Sequence, residues 1–221
     1  MRLQAITFDV GGTLIEPWPS VGDIYAEVAA GFGLTELSPT ELNRTFLKAW
    51  RTKRDFDYSE AAWLELVAST FERPASGLPC GFFKRLYARF TEPGAWRIYD
   101  DVLPALKTLS GLPIRLAIIS NWDDRLLPLL EELDLLRFFE CATISCDVGH
   151  AKPAAEMFAS ASARLDLPPE SILHLGDSRR EDVEGARRAG FQAALVARDG
   201  GAGGINSLDT IAPLIGAQSV D

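Results

Sequence analysis

Apolar residues fall along this chain in two alternating patterns. Short runs rich in β-branched and aromatic residues, Leu3 to Phe8, Ile114 to Ser120, Thr143 to Ser145, Ile172 to Leu175 and Ala193 to Val196, read as buried strands. Between most of them, Val102 to Leu109, Arg125 to Leu135, Ala154 to Leu165 and Glu181 to Ala189 carry apolar residues at helical spacing. Strand-helix alternation implies right-handed crossovers and a parallel sheet, which is an α/β fold. The stretch from Glu16 to Pro93 breaks the alternation. It reads as helical throughout, with helices expected at Gly22 to Gly33, Pro39 to Lys53, Ser59 to Thr70 and Gly81 to Phe90, and it is too long for a loop. Following the first strand, such an insertion would lie at the carboxyl ends of the strands, where open α/β sheets place their ligands, as a lid. Its aromatics Phe46, Trp50, Trp63, Phe71, Phe82 and Phe83 are expected to fill its own core.

Composition narrows the partners. With 221 residues and 47% hydrophobic content, the chain can bury a sizeable core. A net charge of -9 opposes encounter with nucleic acid or an anionic membrane, so an anionic small substrate would need local positive charge. The three cysteines, Cys80, Cys141 and Cys146, lack metal-ligand spacing and read as buried thiols in a reducing cytoplasm. The strand-like run begins almost at once, without the pattern of a signal peptide. No segment approaches the roughly 20 uninterrupted apolar residues that span a bilayer, so a soluble, cytoplasmic protein is expected. The Gly-rich stretch Asp199 to Gly204 reads as a flexible loop.

The chemistry-bearing residues cluster at strand ends. In "AITFDVGGTL", Asp9 stands where a buried strand meets a Gly-Gly turn, projecting into the crevice or simply capping the turn. "AIISNW" puts Ser120 and Asn121 after a strand, as donors to anionic oxygens or as an ordinary helix cap. "GHAKPAAEMF" places Lys152 before a helix expected to start at Pro153, where its ammonium would address an anion or lie solvated on the surface. "LHLGDSRREDVEG" brackets a turn with Asp177 and Asp182, a pair suited to a hard cation such as Mg²⁺. His174 reads as a packed structural histidine and His150 as exposed loop. Arg179, Arg180, Arg187 and Arg188 pair with nearby acids on a solvated helix face.

"DVGGTL", "SN", "KP" and "GDS…ED", in this order and each at a strand end, resemble the four motifs of the haloacid dehalogenase (HAD) superfamily. The insertion looks like that superfamily's C1-type cap, and "FDVGGTL" is similar to the REG-2-like group. The resemblance implies a Rossmann-like core over residues 1–15 and 96–221, a helical cap over 16–95, and a small phosphorylated metabolite as substrate. It further implies that Asp9 attacks phosphorus, Ser120 or Asn121 binds phosphoryl oxygens, and Lys152 steadies nucleophile and charge. Mg²⁺ would be held by Asp9, the Gly11 carbonyl and Asp177, with Asp182 ligating through water or orienting Lys152.

One departure matters. Phosphatases of this superfamily carry a second Asp two residues after the nucleophile as acid and base; here Gly11 keeps the carbonyl and lacks the proton relay. Slow or specialised phosphate ester hydrolysis is therefore expected, favouring good leaving groups. A binding module without turnover is the alternative in another class. Phosphonatase-like C–P cleavage is a further one, since phosphonatases combine a small residue at this position with a cap lysine, and Lys48 and Lys53 lie in the cap region. Dehalogenase chemistry, which dispenses with Mg²⁺, fits poorly with the retained Asp177.

Overall fold

The structure, a computed structural model, describes residues 3–53, 56–198, 200–201 and 203–213; Asp199 and Ala202 of the Gly-rich stretch lie outside these residues. It divides into two compact units, the first comprising 1–15, 98–124 and 133–221, the second 16–97 and 125–132.

The first unit is built on a five-stranded sheet. Strand β1 (Ala5–Phe8) is buried at every position, as the central strand of the sheet. The chain then forms β2 (Ile15–Pro17), which later pairs with β3 (Trp96–Ile98) in a two-stranded ribbon that periodicity does not reveal, because three residues are too few to show alternation. In the second unit, α1 (Val21–Ala30), α2 (Pro39–Thr52), α3 (Glu60–Thr70) and α4 (Phe82–Arg89) follow. Ser20, Ser38 and Ser59 cap the first three by accepting backbone N–H bonds from Asp23, Glu41 and Ala62. Ile24, Tyr25, Val28, Leu42, Phe71, Phe82 and Leu86 form this unit's own core, and Trp50 stacks on Trp63 at 5.8 Å.

Back in the first unit, α5 (Val102–Ser110) leads to β4 (Arg115–Ser120). Helix α6 (Leu126–Glu132) groups with the second unit although it follows a sheet strand in sequence. Then come β5 (Cys141–Ile144), the short α7 (Ser145–Val148), α8 (Ala155–Leu165), β6 (Ile172–Gly176), a π-helical turn at Arg179–Glu184, α9 (Gly185–Arg188) and β7 (Gln192–Leu195).

The sheet is parallel in the order β5-β4-β1-β6-β7. Its connections run outward on both sides of β1, which makes the carboxyl end of β1 the switch point where such sheets open a crevice. The parallel α/β sheet expected from the alternation, and the Rossmann-like core that the resemblance implies, are those found.

Two expectations need correction. Cys80 and Cys146 are exposed and Cys141 is half-buried, so the thiols are free without being core residues. Helix α8 starts at Ala155, two residues beyond Pro153, because the Lys152–Pro153 segment serves a loop at the site. Among the described residues, no helix is long and apolar enough to cross a membrane.

Candidate active site

Register brings the motif residues to one edge. β1 pairs through Phe8 with Ile118 of β4 and Leu175 of β6, so the residues that follow leave the sheet together. Asp9 is anchored there by its backbone N–H, which donates to the Leu175 carbonyl at 2.8 Å.

At the centre lies the Lys152 ammonium. Its Nζ donates to Asp9 Oδ1 at 2.7 Å, to Asp182 Oδ1 at 2.6 Å and to the Ile119 carbonyl at 2.9 Å. The residue is only 3% exposed, so it is not the solvated surface lysine that its sequence context also allowed. Burial works against its charge, but Asp182 and Asp9 more than compensate and hold the ammonium above the usual lysine range. Asp182 is equally buried and accepts three bonds: from Lys152, from His174 Nε2 at 3.1 Å, and from the Ser178 N–H at 2.9 Å. Burial would raise its carboxyl, yet the Lys152 charge and the His174 bond take it well below the ordinary value. An ionised Asp182 only accepts, so His174 Nε2 carries the proton and its Nδ1 accepts from the Thr7 hydroxyl at 2.9 Å. Burial lowers the His174 pKa, keeping the ring neutral. It is the packed, hydrogen-bonded histidine that sequence favoured.

The Ser120 hydroxyl lies 3.3 Å from Asp9 Oδ1, and the Thr13 hydroxyl reaches Oδ2 at 3.5 Å, the outer limit of a bond. Asn121 is turned elsewhere. Its Oδ1 accepts from the Lys152 N–H at 2.6 Å and its Nδ2 donates to the Lys152 carbonyl at 3.0 Å, riveting the two loops together. A second bond from Nδ2 goes to Glu181 at 3.3 Å. Lys48 is exposed on α2, and Lys53 Nζ sits 3.4 Å from the centre of the Trp50 ring, both within the second unit.

Asp9, Asp177 and Asp182 each offer an oxygen within 4.8 Å of the others. Asp177 is pushed up to about 8, first by desolvation of its carboxyl and then by the charges of Asp9 and Asp182, although the residue as a whole is exposed. Asp9 is also raised, chiefly by burial. Room for the Asp177 carboxyl depends on Gly12, which has φ +77° and whose absent Cβ would stand 2.4 Å from Asp177 Oδ2. With all three carboxyls ionised, Asp9, Asp177 and Asp182 beside one ammonium would make a net negative centre, and the raised Asp9 and Asp177 carboxyls are those that a bound cation would bring back to the ionised form. Oxygen donors carrying excess charge suit a hard divalent cation.

Some partners carry no sequence signal. Arg198 donates to both oxygens of Asp101 and to the Thr13 carbonyl at 2.5 Å, tying the chain after β7 to the Asp9 turn. A contact between residues so far apart in sequence leaves no local pattern. Trp122, adjacent to Asn121, has its N–H on the Ser145 hydroxyl at 2.9 Å, while that hydroxyl donates to the Trp122 carbonyl at 2.8 Å.

The class is an α/β protein with a Rossmann-like parallel sheet and a buried acid-lysine-acid centre at its switch point. Residues 3–190 match the haloacid dehalogenase-like hydrolases, and the chain belongs to that family. It is 32% identical over 208 residues to Haloacid dehalogenase-like hydrolase domain-containing protein 3 of Xenopus laevis, covering 89% of this chain and 85% of the relative. Rhythmically expressed gene 2 protein of Drosophila melanogaster is 29% identical over 218 residues, covering 88% and 83%, in keeping with the REG-2-like group. The fold is also that of the HAD-hydrolase YfnB from Bacillus subtilis, solved bound to magnesium, with a TM-score of 0.79 at 17% identity over 97% of this chain and 99% of that one.

Proposed function

We propose that this hydrolase is a divalent-metal-dependent phosphomonoesterase with Asp9 as its nucleophile. One observation carries the reading: a buried lysine bridges Asp9 and Asp182 beside a third carboxylate, Asp177. An Asp9 oxygen would bond to phosphorus while the ester P–O bond breaks, its electron pair leaving with the alcohol oxygen. Water then attacks the phosphorus, releasing phosphate and restoring the Asp9 carboxylate.

Lys152 offsets the repulsion between Asp9 and an anionic phosphate, which is strong in a site of low dielectric. Asp182, fixed by His174 and the Ser178 N–H, positions Lys152. Ser120, close to Asp9, is assigned to the phosphoryl oxygens, and Asn121 holds the loop that carries Lys152. An ion such as Mg²⁺, held by Asp9, Asp177 and the Gly11 carbonyl with Asp182 behind them, would neutralise charge on the phosphoryl group. Magnesium in the YfnB structure supports this choice of ion. The substrate is a small phosphorylated molecule, and a cytoplasmic setting suits the acidic, cysteine-poor composition.

With Gly11 in place of an acid, the leaving group must depart unprotonated. Hydrolysis of 4-nitrophenyl phosphate should exceed that of glycerol phosphate by about 10²- to 10⁴-fold, require Mg²⁺, and vanish in Asp9→Asn. Equal rates on both esters would refute the missing proton donor. Mg²⁺-dependent phosphate binding with no turnover of any ester would instead favour the binding module.

A further inference from the structure

The backbone at position 11 does not require glycine, since Gly11 is absent from the residues with positive φ. Space is tight: a Cβ on Gly11 would stand 3.3 Å from Cζ3 of Trp122, closer than the ordinary carbon-carbon separation of about 3.5 to 4.0 Å, so the ring would have to give by a few tenths of an ångström. The edge of the indole borders the space into which a side chain at position 11 would project. Gly11 is two residues past Asp9, and Trp122 is two residues past Ser120, whose hydroxyl is 3.3 Å from Asp9 Oδ1. The ring is held at its root. Ser145 binds both the N–H and the carbonyl of Trp122, and the neighbouring Asn121 is locked to the Lys152 backbone. Trp122 as a whole is only partly buried.

We propose that Trp122 is a specificity-determining residue, an aromatic wall beside the nucleophile that selects phosphate esters with a flat aromatic leaving group. The inference rests on the phosphoryl-transfer reading above and names its substrate class. Both features of position 11 act in one direction. Without a proton donor, the departing oxygen must carry the electron pair of the broken P–O bond, as a phenoxide does more readily than an alkoxide. The indole offers that aromatic ring an apolar contact, where an acidic side chain would offer an alkoxide a proton.

Binding of non-hydrolysable ligands tests this apart from turnover. With Mg²⁺ present, calorimetry should show phenylphosphonate binding more tightly than methylphosphonate by about three- to tenfold, the range expected for one aromatic contact. Trp122→Leu should abolish the preference by weakening phenylphosphonate binding, while Trp122→Phe should retain most of it. Equal binding of the two ligands by the unaltered protein overturns the proposal, as does a preference that survives in Trp122→Leu. Should Trp122→Leu fail to fold, the ratio in the unaltered protein and in Trp122→Phe decides. Inorganic phosphate separates the two readings. If it binds with Mg²⁺ while the phosphonates are not distinguished, only the aromatic wall falls; if phosphate does not bind, the phosphoryl-transfer reading falls too.

Discussion

The two units bury opposite chemistries. In the sheet unit, an apolar cluster that includes Ile119, Met157, Phe158, Leu165 and Phe191 lies beneath buried Asp9, Lys152, His174 and Asp182. In the helical unit, the buried polar side chains among the described residues are Thr45 and Thr70, each returning its hydroxyl to a carbonyl of its own helix. Its interior is aromatic instead: Tyr25 stacks on Phe71 at 5.9 Å, and Phe82 meets Phe71 edge-on at 5.1 Å. Aromatic packing tolerates many arrangements, whereas a buried ion cluster works only when every partner is in place. A buried salt bridge is often no more stabilising than apolar residues of the same volume, so the sheet unit's cluster is better explained by chemistry than by stability.

The sharpest way to break this comparison is to remove the one cation. Lys152→Met leaves Asp9 and Asp182 buried without their counter-charge and should cost about 3 to 5 kcal/mol in denaturant unfolding, along with all hydrolysis. A loss below about 1 kcal/mol would mean that the carboxylates simply take up protons and that the cluster is not obligatory. His174→Leu comes next. It strips one donor from Asp182 and the acceptor from Thr7, for an expected cost of about 1 to 3 kcal/mol. In the helical unit, Ile24→Val should cost only about 1 kcal/mol and leave Mg²⁺ affinity unchanged, since packing there is forgiving. Altered metal affinity in that variant would erase the distinction between the units.

The smallest effect is a slope, because Asp177 is an exposed residue and solvent screens the charges around it. Its carboxyl is pushed up to about 8 from an ordinary 3.8, so the metal-free fold holds that proton more tightly than the unfolded chain does. Its contribution to stability therefore falls as pH rises from about 4 to about 8. Melting temperatures of the metal-free protein should show this decline, Asp177→Asn should flatten it, and Mg²⁺ should offset it at the alkaline end. An unchanged slope in Asp177→Asn would show that the neighbouring charges do not act on Asp177.

Sequence by itself determined the sheet strands, most of the helices between them and the positions of Asp9, Ser120 and Asp177 at strand ends. Those features follow from local periodicity and turn chemistry, which a few consecutive residues encode. Tertiary structure alone decided how the polar groups are shared. Asn121 had the residue type of an anion donor, yet the approach of the Lys152 loop engages its amide. His174 became a support for Asp182 only because β1 and the turn after β6 bring Thr7 and Asp182 to its two nitrogens. Gly11 reads as a missing acid in the sequence; in three dimensions the edge of an indole crowds the space beside it. Hydrogen bonds and close packing act over a few ångströms between residues that lie from 8 to 167 positions apart, a relation that no local pattern along the chain carries.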